Sequence, residues 1–208
     1  MKLPVLFRSI LLCICCLLPG ISAAQQQTIL VFGDSLSAAY GMPREAGWVS
    51  LLQQELQRNH PEYRIVNASI SGETTTGGRQ RIASALRQHR PAIVILELGA
   101  NDGLRGTAVA NIEANLNNII EQSLKAHAKI LLLGIQLPPN YGVKYTADFK
   151  AIYPKQAQRY NAALVPYFLE KLVPEEFQAD NLHPTAAAQT KILLTVLEKL
   201  KPLLASSP

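Results

Sequence analysis

The chain has 208 residues, 48% of them hydrophobic, with 20 Lys and Arg against 15 Asp and Glu. That is enough chain for one domain with a proper core. The basic residues are scattered. Their densest group, Arg79, Arg81, Arg87 and Arg90, reads as a solvated helix face ending in a turn, and without aromatic interleaving or a basic stripe it excludes a nucleic-acid binder.

The first 24 residues read as a secretory leader rather than as fold. Lys2 and Arg8 flank a short basic start, Ile10 to Leu18 is an unbroken apolar run, and Pro19-Gly20 ends it. Ser22-Ala23-Ala24 supplies the small residues that a signal peptidase reads, so cleavage is expected after Ala24. The alternative is an uncleaved anchor, but the run is well short of the roughly 20 residues that span a bilayer. Cys13, Cys15 and Cys16 lack the small residues that precede a lipid-attachment cysteine. All three leave with the leader, so residues 25–208 hold no disulfide, thiol nucleophile or cysteine metal site. A cysteine-free exported domain fits a bacterial periplasm, and no stable membrane insertion is expected after cleavage.

Strand-like and helix-like segments then alternate. Thr28 to Phe32 reads as a buried strand, and Gly47 to Arg58 as a helix with Trp48, Leu51, Leu52 and Leu56 near one face. Tyr63 to Asn67 is a second strand, Gly77 to His89 a second helix, Ala92 to Glu97 a third strand and Asn111 to Ala126 a third helix. Lys129 to Ile135 is a fourth strand. Residues 136–153 read as a long connection, Lys155 to Val165 as a helix, and Pro184 to Leu200 as a closing helix with proline in its first turn. Near-continuous apolar strands separated by helices predict a parallel sheet covered on both faces, an α/β three-layer sandwich. In such sheets sites form at the carboxyl ends of the strands. Three polar motifs fall there, after Phe32, after Asn67 and after Leu98.

The first is Gly33-Asp34-Ser35-Leu36-Ser37. A serine hydroxyl is a poor nucleophile unless a base takes its proton and a turn exposes it. Gly33 permits such a turn, although Asp34 or Ser35 at this place could equally cap a helix. Ser37 excludes a Gly-x-Ser-x-Gly elbow, and the segment is no Gly-x-Gly-x-x-Gly nucleotide loop. Four histidines are candidates for the base. His60, His89 and His127 each end a predicted helix, where an imidazolium suits the helix dipole. His183 precedes a helix, with Asp180 three residues earlier. A single turn at that spacing can bring the carboxylate to the ring Nδ1–H and leave Nε2 free to act as a base. The third need is a set of donors for a developing oxyanion, each typically worth about 3–4 kcal/mol. The Ser35 and Gly72 backbone N–H groups and the Asn101 side-chain amide are in position for it. Taken singly, Gly72 and Asn101 read as ordinary loop residues.

Together, Gly33-Asp34-Ser35-Leu36-Ser37, Gly72, Gly99-Ala100-Asn101-Asp102 and Asp180-x-x-His183 resemble the four blocks of the SGNH (GDSL) hydrolase superfamily. Asn67 to Gly72, Glu97 to Gly106, Leu137-Pro-Pro-Asn-Tyr-Gly142 and Ala151-Ile-Tyr-Pro154 extend the resemblance to its periplasmic acyl-CoA thioesterase I, lysophospholipase and arylesterase group. The resemblance covers essentially all of residues 25–208 and implies a flavodoxin-like five-stranded parallel sheet. It implies Ser35 as nucleophile, His183 as base, Asp180 as its orienter, and Ser35, Gly72 and Asn101 as oxyanion donors, with no metal and no cofactor. Two departures avoid the catalytic positions: Ala100 stands where glycine is frequent, and Asn181-Leu182 varies the middle pair.

The expected activity is hydrolysis of esters and thioesters, the substrates being aryl esters, acyl-CoA and lysophospholipids. The loop Gly103 to Ala108 and the stretch Leu137 to Phe149 should border an acyl groove lined by Leu104, Leu137, Pro138 and Tyr141, with Asp34 as a further substrate contact. Apolar walls favour medium to long acyl chains, and a periplasmic site favours lysophospholipids and exogenous esters over acyl-CoA. A monomer is expected. Two rivals are a carbohydrate O-acetylesterase on the same scaffold and a non-catalytic lipid or peptide binder.

Overall fold

The computed structural model describes residues 26–205, so the leader lies outside the described residues. Five parallel strands form one sheet: β1 (Gln27–Gly33), β2 (Tyr63–Asn67), β3 (Ile93–Glu97), β4 (Lys129–Leu133) and β5 (Ala163–Val165). Their order is β2-β1-β3-β4-β5, a flavodoxin-like doubly wound arrangement. The chain moves outward from β1 to β2, then crosses back to the other side of β1 for β3. The helices therefore fall on opposite faces: α1 (Trp48–Asn59) packs with α6 (Gln189–Ala205), while α2 (Thr75–His89) packs with α4 (Val109–Lys125) and α4 with α5 (Val143–Tyr160). A short α3 (Ala100–Leu104) follows β3 directly. No helix among the described residues is long and apolar enough to cross a membrane.

The central strands β1, β3 and β4 are apolar on both sides because both sides are covered. Ile29 to Phe32 and Ile93 to Ile95 have no exposed surface. Several polar groups inside this core tie its elements together. Trp48 donates its ring N–H to the Leu36 carbonyl at 3.1 Å and its backbone N–H to Gln189 Oε1 at 3.0 Å, which ties α1 to the first turn and to α6. Tyr63 gives its hydroxyl to the Leu204 carbonyl at 3.1 Å.

The structure departs from the sequence reading between β4 and α6. Most of the expected connection 136–153 belongs to α5, and the expected helix Lys155 to Val165 is the end of α5 followed by β5. Two features hide this. Pro154 lies inside α5 and interrupts the helix pattern. Asn161 then turns the chain with φ 49°, leaving only three residues for β5. The closing helix is also shorter at its start than expected, since Ala186–Ala188 form a 3-10 turn before α6 begins at Gln189.

At the end of β4 the chain has no room for a side chain. Gly134 donates its N–H to the Val165 carbonyl at 2.7 Å and accepts from the Phe168 N–H at 3.1 Å. A Cβ there would run into the Pro166 carbonyl oxygen, which belongs to backbone and cannot swing aside. Gly134→Ala should therefore lower the thermal midpoint by roughly 2–10 °C, measured by calorimetry beside the wild type.

Candidate active site

The site lies at the carboxyl ends of β1, β2 and β3, where the strand order reverses. After Gly33 the chain turns at once. The Asp34 carbonyl accepts from the Ala38 N–H at 3.0 Å, and Asp34 Oδ1 accepts from the Leu36 N–H at 3.0 Å. This holds Ser35 at the crest of the turn, half-buried.

His183 arrives from the other end of the chain. Its Nε2 lies 2.8 Å from Ser35 Oγ, and its Nδ1 lies 2.7 Å from Asp180 Oδ2. Asp180 Oδ1 also accepts the backbone N–H groups of Leu182 at 2.9 Å and His183 at 3.0 Å. Asn181 takes φ 56° between them, a conformation that asparagine tolerates better than most side chains. Partial burial by itself would raise the Asp180 carboxyl. The two backbone N–H groups and the His183 ring outweigh it and hold the carboxyl down at about 2. Asp180 is therefore an anion at neutral pH and can only accept. The ring proton then sits on Nδ1, and Nε2 is left as the acceptor for the Ser35 hydroxyl. The Tyr40 ring lies over His183, with centroids 4.4 Å apart and a 36° tilt.

The three donors read from the sequence are present at this edge in two different states. Neither the Ser35 nor the Gly72 backbone N–H has a protein acceptor among the described residues. Gly72 has φ 80°, and its surroundings are open. The Asn101 amide is already committed, donating to Asp34 Oδ2 at 3.1 Å and to the Glu73 carbonyl at 2.9 Å. It can serve an oxyanion only by sharing or exchanging one of these bonds. The loop behind it is pinned by Arg81, whose Nε donates to Glu73 Oε2 at 2.5 Å and whose Nη1 donates to the Ala68 carbonyl at 2.8 Å.

A cavity of about 290 Å³ opens beside Ser35 and His183. Leu104, Leu137 and Pro138 line it, as the sequence suggests. Tyr141 is not part of the lining, although Pro139, from the same 3-10 turn Pro139–Tyr141, is. Asp34 is corrected too. It has no exposed surface, so it supports the turn and Asn101 and cannot contact a substrate. Sequence reasoning missed Tyr167, Leu169, Phe177 and Leu182, which complete the apolar wall. The signal was the apolar Tyr167-Phe168-Leu169 directly after Pro166, masked because β5 went unread. Sequence reasoning also missed Glu97, a fully buried acid at the end of an otherwise apolar strand.

The profile of the GDSL-like lipase/acylhydrolase family matches residues 31–191. The chain belongs to that family. It is 49% identical to the esterase TesA of Pseudomonas aeruginosa over 183 residues, covering 87% of this chain and 91% of that protein. It is 43% identical to "Thioesterase 1/protease 1/lysophospholipase L1" of Escherichia coli strain K12 over 183 residues, covering 87% and 86%. A crystal structure of TesA superposes with a TM-score of 0.83 at 49% identity, covering 85% of this chain and 99% of that one. The protein is an ester-hydrolysing enzyme of the SGNH type.

The depressed Asp180 carboxyl gives this acylhydrolase a signature in acid. Its folded value, about 2, lies below the ordinary aspartate value of 3.8. The stabilisation it contributes is present above the unfolded value and is lost as pH falls through the folded one. Asp180→Asn removes that contribution. Urea unfolding followed between pH 5 and pH 2 should therefore fall less steeply for the variant than for the wild type, and the two midpoints should converge at the acid end.

Proposed function

We propose that Ser35, His183 and Asp180 form a nucleophile–base–orienter chain that hydrolyses carboxylic esters and thioesters through an acyl-enzyme. The supporting observation is the unbroken contact from Ser35 Oγ to His183 Nε2 at 2.8 Å and from His183 Nδ1 to Asp180 Oδ2 at 2.7 Å. His183 takes the Ser35 proton as the oxygen attacks the substrate carbonyl. The carbonyl oxygen becomes an oxyanion and is met by the free N–H groups of Ser35 and Gly72 and by the Asn101 amide. Asp180 stays ionised and stabilises the imidazolium that forms. His183 then gives its proton to the leaving alcohol or thiol, and the carbonyl re-forms as an acyl-Ser35 ester. In the second half His183 deprotonates a water, which attacks the acyl carbon, and Ser35 leaves with the proton.

The substrate class follows from the cavity. Its wall is mostly apolar, built from Leu104, Leu137, Pro138, Leu169, Phe177 and Leu182, with Gln136, Tyr167 and Asn181 adding polar atoms beside the reacting groups. Such a wall suits an acyl chain better than the hydroxyls of a sugar. We take medium to long acyl chains as the substrates, in aryl esters, thioesters and lysophospholipids. The names of the relatives point the same way. The leader-like first 24 residues favour export to the periplasm, where residues 25–208 act as a monomer.

The test is hydrolysis of p-nitrophenyl esters from C2 to C16 by protein starting at Gln25, beside Ser35→Ala. Hydrolysis should extend to C4 and longer chains. In the variant kcat should fall by about 10⁴-fold or more at unchanged thermal midpoint. Undiminished hydrolysis by a folded Ser35→Ala overturns the mechanism, and activity confined to C2 replaces the lipid reading with sugar deacetylation.

A further inference from the structure

The reaction as written makes no use of Glu97. Ile93 to Leu96 run through the core, and Glu97 follows them with no exposed surface. Gly33 and Glu97 are register partners across β1 and β3. Asp34 is equally buried, and its backbone N–H meets Glu97 Oε2 at 3.2 Å, so the two carboxyl groups are near neighbours directly beneath the Ser35 turn. The glutamate fills the space that a side chain at position 33 would need, since a Cβ there would lie 2.7 Å from Glu97 Oε2. Glycine at the head of the nucleophile turn is thus a consequence of Glu97 as well as of the turn.

The partners of the two acids are unequal. Glu97 Oε2 accepts from the Asp34 N–H at 3.2 Å and from Ser37 Oγ at 2.8 Å. Asp34 uses Oδ1 for the Leu36 N–H and Oδ2 for the Asn101 amide. Glu97 Oε1 is buried, and no donor among the described residues reaches it. The other titratable groups that bear on the pair are Tyr153 from α5 and His183 above the turn, with Asp102 from α3 acting on Tyr153, and none is a fixed cation. Arg81 is taken by Glu73 and the Phe32 ring. Two adjacent carboxylates in a dry site without a cation cannot both stay ionised.

We propose that Glu97 is a neutral acid that donates its single proton to the Asp34 carboxylate and, through Asp34, positions Asn101 and the Ser35 turn. Asp34 then keeps one negative charge, which strengthens the bonds its two oxygens accept from Leu36 and Asn101. Burial first, and then the facing Asp34 charge, push the Glu97 carboxyl well above the carboxylate range, in keeping with this assignment. Glu97 touches no substrate. It is a positioning residue, and its role rests on the reading of Ser35 and Asn101 given above.

A glutamine reproduces the neutral acid in shape, with its carbonyl accepting from Asp34 N–H and Ser37 and its amide donating to Asp34. A leucine keeps the volume and loses both functions. The experiment compares wild type, Glu97→Gln, Glu97→Leu and Ser35→Ala, measuring kcat and KM on a p-nitrophenyl ester, thermal midpoints, and infrared difference spectra at pH 8. Glu97→Gln should keep kcat within about threefold, while Glu97→Leu should lose about 30-fold or more in kcat with KM nearly unchanged. A protonated-carboxyl stretch should be present in the wild type and absent from Glu97→Gln. The proposal is overturned if Glu97→Gln is as impaired as Glu97→Leu, or if the wild type lacks that band. Should Glu97→Leu not fold, the glutamine variant and the band still decide. Activity surviving in Ser35→Ala would instead break the catalytic reading, and the infrared result would stand apart from it.

Discussion

The site depends on the parallel pairing of β1 with β3. Ile29 to Gly33 run beside Ile93 to Glu97 in unbroken register, at the centre of the sheet and at the point where its strand order reverses. The residues that leave these two strands must emerge together on one edge. Ser35 leaves β1 there and Asn101 leaves β3 there, and the Asn101 amide donates at 3.1 Å to Asp34, the residue before Ser35. The pairing is secured by the burial of apolar strand residues on both faces, the dominant favourable term in folding. The nucleophile therefore inherits its position from the core rather than from its own loop.

The base has no such inheritance, since His183 is far from Ser35 in the chain and sits in an irregular segment before α6. Local hydrogen bonds replace the sheet. Asp180 folds back on the N–H groups of Leu182 and His183, and the Gln178 N–H holds the His183 carbonyl at 2.7 Å. Gln178 also spans the two halves of the site, donating from Nε2 to the Tyr40 carbonyl at 2.9 Å and to the Pro184 carbonyl at 3.0 Å. Tyr40 in turn covers the His183 ring. These clips set base against nucleophile before substrate arrives, the arrangement that converts orientation into rate.

How much of this could be read from the residues varied with the kind of signal. The four long apolar strands and the helices between them were legible, because burial on both faces leaves near-continuous runs such as Ile93-Val-Ile-Leu96. So was the spacing Asp180-x-x-His183, which a single turn satisfies locally. β5 was not, since three residues of strand framed by Asn161 and Pro166 carry too little pattern. α5 was hidden by Pro154. The distal wall of the cavity was lost with them, because Tyr167 and Leu169 gain meaning only once β5 sets the strand end. Asp34 was misread as a substrate contact, since nothing in a sequence distinguishes an exposed aspartate from one turned inward toward a buried acid.

The central claim is that Ser35 is a nucleophile armed by His183. Its most direct test is intact-protein and peptide mass spectrometry after brief exposure to an alkyl fluorophosphonate, which transfers its phosphonyl group to an activated serine with loss of fluoride. The account predicts one adduct per chain, on the peptide containing Ser35, and its loss in a folded His183→Ala. No adduct, an adduct on a different residue, or equal labelling without His183 would contradict it.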